Sequence, residues 1–563
     1  MNRNTDEVSS ISHTWTGQTR MTVLDTDFGQ GLLFLKLWDA WQQHSRRPQR
    51  LHVVGLVPSL SEHADLRSVF KTLLSTMHYE QLRPQFEAML AVWPLNLPGL
   101  HRLEFESGAI TLTLAVGPVD EVIRRLRLQV DCFVLKDKLL LPQLSSLAAS
   151  GARALITIEQ DGVSGIEVVS VEQRETATQA RSDPWLQSPV SPQEQHALVV
   201  GAGFAGLGVA QSLALRGWRV TVIDTSWGQS TSSHLHHAAA ALTPTVSRDD
   251  NLRARLSRAG FLRAQSRWSA LPESVLFRCG AIQLQRDQGR IVDLAALIET
   301  LGFPTQWAQF VSADQASALA GITLNRGGIY FPTAARVQPQ RLLDSLAATP
   351  GVEVRAGNVG RIFQRAGIWH AQDDSGAVLA SAGHVVLAGG FHTQTLLRAS
   401  GLLSERARLQ DMHALGGEVT FLPAAEIAGG PRCIVSGDGY VLPQEEGRCV
   451  IGSTYAHAAQ QASVTDQGVT SNLHRAAGLL NIPELSGRLI GQKLDGWAGW
   501  RAVLPGRLPA IGPVRQAPGV WVACGFASRG LTWATLAGDL IAGALNGEPL
   551  VLENDIIDAI SDN

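Results

Sequence analysis

Lysine is scarce in this chain of 563 residues. Only Lys36, Lys71, Lys136, Lys138 and Lys493 occur among 47 basic residues, and the arginine bias reads as genome composition rather than function. An excess of positive charge is also missing, since 47 basic against 50 acidic residues leave a net charge of −3. Coating of nucleic acid through bulk charge is therefore excluded and DNA is not an expected partner, although a local basic patch stays open. The cysteines, Cys132, Cys279, Cys433, Cys449 and Cys524, are scattered and form no C-x-x-C pair. That excludes a disulfide framework and a Cys-rich zinc site, and it fits a reducing compartment. No apolar run reaches the ~18–20 residues that span a bilayer, and the opening MNRNTDEVSS has no apolar h-region. The expectation is a cytoplasmic protein with no signal peptide and no membrane association. No repeat with a period of about 20–50 residues is visible.

Apolar material, by contrast, is ample. Hydrophobic residues make up 45% and charged residues 17%, with a mean hydropathy of +0.04. Such a chain buries a large core, and its length suggests roughly three or four domain-sized units. The clearest seam is QRETATQARSDPWLQSPVSPQEQH, residues 173–196, polar and without apolar periodicity. It reads as a linker between residues 1–172 and 197–563. In the first part, strand-like runs at 22–24, 51–57, 110–115 and 132–135 alternate with a helix-like run at 32–43. This alternation predicts an α/β fold with a parallel, helix-covered sheet.

The second part opens with ALVVGAGFAGLGVAQSLALRGWRVTVID, residues 197–224. Gly201, Gly203 and Gly206 form G-x-G-x-x-G. The first glycine permits the tight turn, the second lets backbone N–H groups approach a pyrophosphate, and the third lets the helix pack against the strand. A helix over 205–215 would aim its N-terminal dipole at the phosphates. Asp224, eighteen positions after Gly206 at the end of the next strand, is placed to accept ribose hydroxyls. The fingerprint alone does not separate FAD from NAD. Two later segments tip the reading to FAD: HVVL at 384–387, which ends in Gly389 and Gly390, and a strand, a Gly525–Gly530 turn and a helix at 531–545. A helix N-terminus aimed at a flavin ring would stabilise its anionic reduced form. A third is WAGWRAVLPGRLPAIG (497–512).

Together with GGIYFPTAARVQP (327–339), GDGYVLP (437–443) and GFASRGL (525–531), these segments resemble the glycine-oxidase/D-amino-acid-oxidase class. In that class an antiparallel substrate-binding sheet interrupts the dinucleotide-binding domain. DFGQGLLFLKLWDAW (27–41), WPLNLPGLHRL (93–103), VDCFVL (130–135), ALTPTVSRDD (241–250) and SRGL (528–531) narrow the resemblance. They are similar to the bifunctional tRNA 5-methylaminomethyl-2-thiouridine biosynthesis family, which joins an S-adenosylmethionine methyltransferase half to the flavin half. The resemblance implies a Rossmann-like methyltransferase domain followed by an FAD-binding Rossmann-type domain. It implies tRNA with a modified wobble uridine as partner, and oxidative removal of the carboxymethyl group of 5-carboxymethylaminomethyluridine to leave aminomethyl.

The first part departs from that family. Asp27 stands where the family has glycine. Leu56 or Val57 stands where an acid would hold the donor's ribose. Lys136 replaces the acid of the loop beside the reacting amine, with Asp137 one step out of register in LKDKLLLP (135–142). An amine acceptor needs an acid to orient it, so residues 1–172 read as a degenerate methyltransferase-like domain and S-adenosylmethionine as a doubtful cofactor.

In the flavin part the resemblance makes Arg501 and Tyr440 the carboxylate clamp, a planar fork of donors beside a directed hydroxyl. Gly389, Gly525, Gly530 and Leu531 are expected at the cofactor, and Arg529 at either flavin or substrate. His234, His236 and His237 invite a metal reading, but no other ligands stand at suitable spacing and no metal is expected. A free glycine or sarcosine oxidase, a fully bifunctional enzyme and a non-catalytic tRNA-binding protein are the competing readings.

Overall fold

The apolar runs read from the sequence become buried strands. The computed structural model describes residues 3–77, 79–160, 163–172, 183–229, 234–286, 292–404, 407–456 and 462–561; most of the expected linker lies outside them. The chain divides into two units, Met1–Val190 with Ala542–Asp558, and Ser191–Ile541 with Ala559–Asn563.

The first unit is built on one seven-stranded sheet. Its order is Gly99–Phe105, Ile110–Val116, Arg50–Val57, Arg20–Asp25, Val130–Leu135, Ala148–Gln160, Val163–Ser170. Both edge strands are antiparallel to their neighbours and the inner pairs are parallel. Val53, Leu112, Leu114 and Phe133 are fully buried, as expected of strands covered on both faces. The helix Leu32–Gln43 covers one face with Phe34, Leu35, Leu37 and Trp38. Strand order reverses direction between Arg20–Asp25 and Val130–Leu135, which makes their carboxyl ends the topological switch point of this sheet. Ala542–Asp558, which the sequence reading left in the second part, packs in this unit. Glu548 is buried there against Arg102 at 3.6 Å.

The second unit holds a six-stranded sheet in the order Val352–Ala356, Arg219–Asp224, His196–Val200, His384–Leu387, Val520–Cys524, Ala510–Pro513. All neighbours are parallel except the last pair. HVVL therefore does return beside the fingerprint strand. Between these strands the chain builds an eight-stranded sheet that ends in His413–Pro423 and Gly496–Val503. It is antiparallel apart from one parallel pair, Ala281–Leu284 with Ile434–Gly437.

The helix Gly530–Leu545 is pressed against its neighbours through glycines. A Cβ on Gly208 would lie 2.6 Å from the Ala534 carbonyl oxygen, and a Cβ on Gly260 or Gly538 would overlap backbone oxygens. Asp539, fully buried on this helix, pairs with Arg216 at 3.3 Å, Arg267 at 3.0 Å and Arg263. Burial alone would push its carboxyl up, but the three guanidinium groups hold it well below the usual carboxylate range.

Candidate active site

The three fingerprint glycines are required for different reasons. Gly201 has φ +106° and lies so close to the returning strand that a Cβ would sit 2.7 Å from the Ala388 carbonyl oxygen. A Cβ on Gly206 would overlap the Gly201 carbonyl oxygen. At Gly203 a Cβ would meet nothing within 4 Å. Gly203 caps the helix Phe204–Ala214 without a side chain, so the helix's first N–H groups are left without a side-chain cap. Asp224 accepts the Ala202 N–H at 2.8 Å and the Ser226 N–H and hydroxyl at 2.8 and 2.9 Å. About one of a carboxylate's four acceptor sites is left for another donor.

A second helix N-terminus converges on the first. Gly530 opens Gly530–Leu545, and a Cβ there would be 3.1 Å from the Phe204 ring. Gly525, at φ +72°, turns under Leu504, and Leu531 is buried. Gly389 follows the returning strand, with no atom nearer than 3.7 Å to its would-be Cβ. Two neighbouring helix starts, the first without a side-chain cap, and bare glycine backbone form a cradle for a dinucleotide's phosphates, so these residues fit FAD. Arg529 donates to the Thr243 carbonyl at 2.9 Å. Burial and the neighbouring Arg253 lower its pKa.

Arg501 stands on the last strand of the eight-stranded sheet and Tyr440 on an inner one, and the two lie within electrostatic reach of one another. Arg501 lies on Gly496–Val503, paired with Leu415, and Tyr440 lies on Gly439–Val441, paired with Gly452. The Arg501 guanidinium donates to the Thr454 carbonyl at 3.2 Å, the Gly416 carbonyl at 3.4 Å and the Ser453 hydroxyl at 3.0 Å. It lies 4.7 Å over the Tyr455 ring, a cation–π contact. Burial pushes the Tyr440 hydroxyl up to about 12, with Arg501 opposing, so at neutral pH it keeps its proton and can donate it.

The histidines form a stack. His237 and Trp497 lie parallel at 3.9 Å, and His234 stacks on Trp497 at 5.5 Å with its Nδ1 3.2 Å from that of His237. Burial pushes His234 down to about 4. Burial, His234 and Arg501 push His237 well below its ordinary value, so both rings are neutral. His236 is exposed. Among the described residues, no three His, Cys, Asp or Glu side chains group as a metal site.

Sequence reasoning missed two residues here. Gly417 lies under the Arg501 guanidinium, and a Cβ there would overlap it and force it to move. Its only trace in the sequence is the pair Gly416-Gly417 within a strand, which signals a close approach. Tyr455 left no trace, since its position depends on strand register.

At the switch point of the first unit, Asp27 pairs with Lys136 across the ends of two neighbouring strands. Asp137 caps the short helix Lys138–Leu140 by accepting the Leu139 N–H at 2.8 Å. Burial, with the nearby charges of Asp27 and Glu7, pushes Asp25 up to about 7. The next strand ends in Leu56 and Val57, both buried and apolar. No acid stands there for a ribose, and Lys136, in the loop expected beside the reacting amine, is a cation already paired. These residues do not fit S-adenosylmethionine.

Residues 196–544 match the family model of the FAD dependent oxidoreductases. The tRNA 5-methylaminomethyl-2-thiouridine biosynthesis bifunctional protein MnmC of Cupriavidus metallidurans is 33% identical, over 97% of this chain and 88% of its own. The protein of that name from Burkholderia orbicola is also 33% identical, over 97% and 89%. Among solved structures, glycine oxidase from Geobacillus kaustophilus aligns with a TM-score of 0.52 and 21% identity, over 66% of this chain and 99% of its own. Iminodiacetate oxidase from Chelativorans sp. BNC1 aligns with a TM-score of 0.52 and 23% identity, over 65% and 98%. The second unit thus has the fold of these amine oxidases.

Proposed function

The chain belongs to the family of tRNA 5-methylaminomethyl-2-thiouridine biosynthesis bifunctional proteins, its larger part an FAD-dependent oxidoreductase, and from that premise we propose that it oxidises the modified wobble uridine of tRNA. The reaction removes a hydride from the carbon between the amine and the carboxylate of the carboxymethylaminomethyl arm. Water adds to the resulting imine, the carbon–nitrogen bond breaks, and aminomethyluridine and glyoxylate are left. FAD, held by Gly201, Gly203, Gly206, Asp224 and the turn from Gly525 to Leu531, supplies the hydride acceptor when bound.

The observation that carries this reading is a half-buried guanidinium, Arg501, held by Ser453 and Thr454 within electrostatic reach of the protonated Tyr440 hydroxyl. The guanidinium fork takes the carboxylate in a charge-assisted contact and the phenol adds a directed donor. The cations Arg501 and Arg529 also disfavour an ammonium beside them, so the arm binds as the neutral amine that hydride loss requires. His237, stacked on Trp497 within electrostatic reach of Arg501, and His234 beside it are both neutral and add no competing charge.

The first unit we read as a methyltransferase-like domain without methyl transfer. Its switch-point sheet supports the first half of that statement, and Asp27, Lys136 and Val57 support the second. The product leaves as the primary amine, and a cytoplasmic location suits a tRNA-maturing enzyme. Nucleoside analysis of tRNA from a deletion strain tests the whole: carboxymethylaminomethyluridine should accumulate and return to wild-type levels on complementation. Unchanged tRNA, with purified protein that oxidises free glycine, would instead make it a free amino-acid oxidase.

A further inference from the structure

The chain has four tyrosines, and two of them, Tyr440 and Tyr455, flank Arg501. Tyr440 is half-buried beside the guanidinium, whereas Tyr455 is open to solvent, with a relative exposure of 55%. An exposed aromatic ring on a surface strand end is unremarkable when its backbone is loose. Here the backbone is held on both sides. Thr454 donates its N–H to the Glu418 carbonyl at 3.1 Å, and Ala456 exchanges two hydrogen bonds with Gly416 at 2.9 and 3.1 Å. One side of the ring is engaged by the guanidinium of Arg501 at 4.7 Å. Tyr455 also lies within electrostatic reach of Tyr440 and of half-buried Arg529. A rigidly presented ring therefore stands at the solvent edge of the group that takes the carboxylate.

We propose that Tyr455 is the platform for the uracil ring of the substrate nucleoside, holding the base at the mouth of the site while its arm reaches Arg501 and Tyr440. The inference rests on the tRNA reading above and identifies the residue that distinguishes a base-bearing substrate from a free amino acid. Four bonds separate the ring carbon from the carboxylate carbon, about 5 Å when extended. That is the scale of the Arg501–Tyr455 separation, so a base resting against the exposed part of the ring has its carboxylate within reach of the fork. Aromatic side chains are the usual partners of single, unstacked bases, and stacking of this kind tolerates exchange among aromatic residues.

The test uses the full-length flavoprotein and an anticodon stem-loop carrying carboxymethylaminomethyluridine. Steady-state oxidation should show Tyr455→Ala raising KM at least tenfold with kcat within threefold of wild type. Tyr455→Phe and Tyr455→Trp should restore KM to within threefold. Fluorescence anisotropy should show the same order of binding, and the flavin absorbance should be unchanged in all variants. A fall in kcat at constant KM would make Tyr455 a positioning residue for Arg501 and overturn the proposal, as would values unchanged from wild type. Failure of wild-type protein to oxidise the stem-loop would sink the tRNA reading itself, a result distinct from either.

Discussion

In the function proposed above, Arg501 is the single side chain on which the chemistry depends. A charge-assisted contact to a carboxylate is typically worth ~1.5–3 kcal/mol, so Arg501→Ala should lower kcat/KM by roughly 10–150-fold. Arg501→Lys keeps the charge but loses the fork, and should recover only part of that loss. Gly417 supplies a sharper test, because Gly417→Ala touches neither substrate nor flavin. Its Cβ would occupy the place of the guanidinium, so activity should fall about as far as in Arg501→Ala while FAD stays bound. Near-wild-type turnover by Gly417→Ala would mean that Arg501 does not work from the position seen here. Arg501 and Tyr440 stand in short motifs that can be read locally, and the fold brings them within electrostatic reach of one another. Gly417 and Tyr455 were not legible, because they reach Arg501 through the pairing of distant strands. In the first unit, Asp25 offers a residue-scale test by pH. Its carboxyl is pushed up to about 7, chiefly by burial, from 3.8. Between about pH 4 and 7 the folded state keeps a proton that the unfolded chain releases, so stability falls as pH rises through that window and levels off above it. Hydrogen exchange of Arg20–Asp25 should quicken from pH 5 to pH 7.5, after correction for the intrinsic rate, and Asp25→Asn should remove that extra change.

At the scale of elements, the fingerprint turn separates cofactor binding from folding. Gly203 faces open space, whereas Gly206 carries the contact between helix and strand. Gly203→Val should therefore give folded, colourless protein, with circular dichroism close to wild type and no absorbance near 450 nm. Gly206→Val should fail to accumulate as soluble protein, because the overlap is with backbone that cannot yield. Folded, yellow Gly203→Val would show that the pyrophosphate does not pass this turn. Elements of this kind were the most legible part of the sequence. The runs at 32–43 and 384–387 have the bounds of the helix Leu32–Gln43 and the strand His384–Leu387, since strong periodicity and glycine punctuation are local properties. The parallel pair inside the eight-stranded sheet was not legible, because nothing local records which partner a short apolar strand finds. The switch point of the first unit yields a negative expectation: titration calorimetry of the intact protein with S-adenosylmethionine should show no micromolar binding. Restoring acids at Lys136 and Val57 tests whether those two positions are the reason.

For the whole molecule, the boundary between the units is not a single cut in the chain. The linker's composition drew attention to residues 173–196, and the division near Val190 falls within that stretch. The return of Ala542–Asp558 to the first unit was invisible, because it begins inside the apolar helix Gly530–Leu545 and nothing local marks a new partner. Within the first unit this segment contributes Glu548, 3.6 Å from Arg102 and 3.9 Å from Arg50. Nearby, burial pushes His52 down to about 3, leaving that ring neutral in an interior that already holds two guanidinium groups. Leu552, Ile556 and Ile557 are fully buried, each typically worth about 1.5–3 kcal/mol. Arg102 and Glu548 are almost wholly withdrawn from water, and removing one partner of such a pair typically costs ~3–5 kcal/mol. Expressed alone, residues 1–190 lose all of this at once and should be unfolded by circular dichroism. Joining residues 542–558 to their C-terminus through a flexible linker should restore a cooperative transition. In the full chain, Glu548→Gln should quicken hydrogen exchange in Arg50–Val57 and Gly99–Phe105 while leaving the flavin spectrum unchanged. A stable, cooperatively folded 1–190 fragment would show that the C-terminal segment only decorates the first unit, and an isolated fragment would then become a fair vehicle for testing methyl-donor binding.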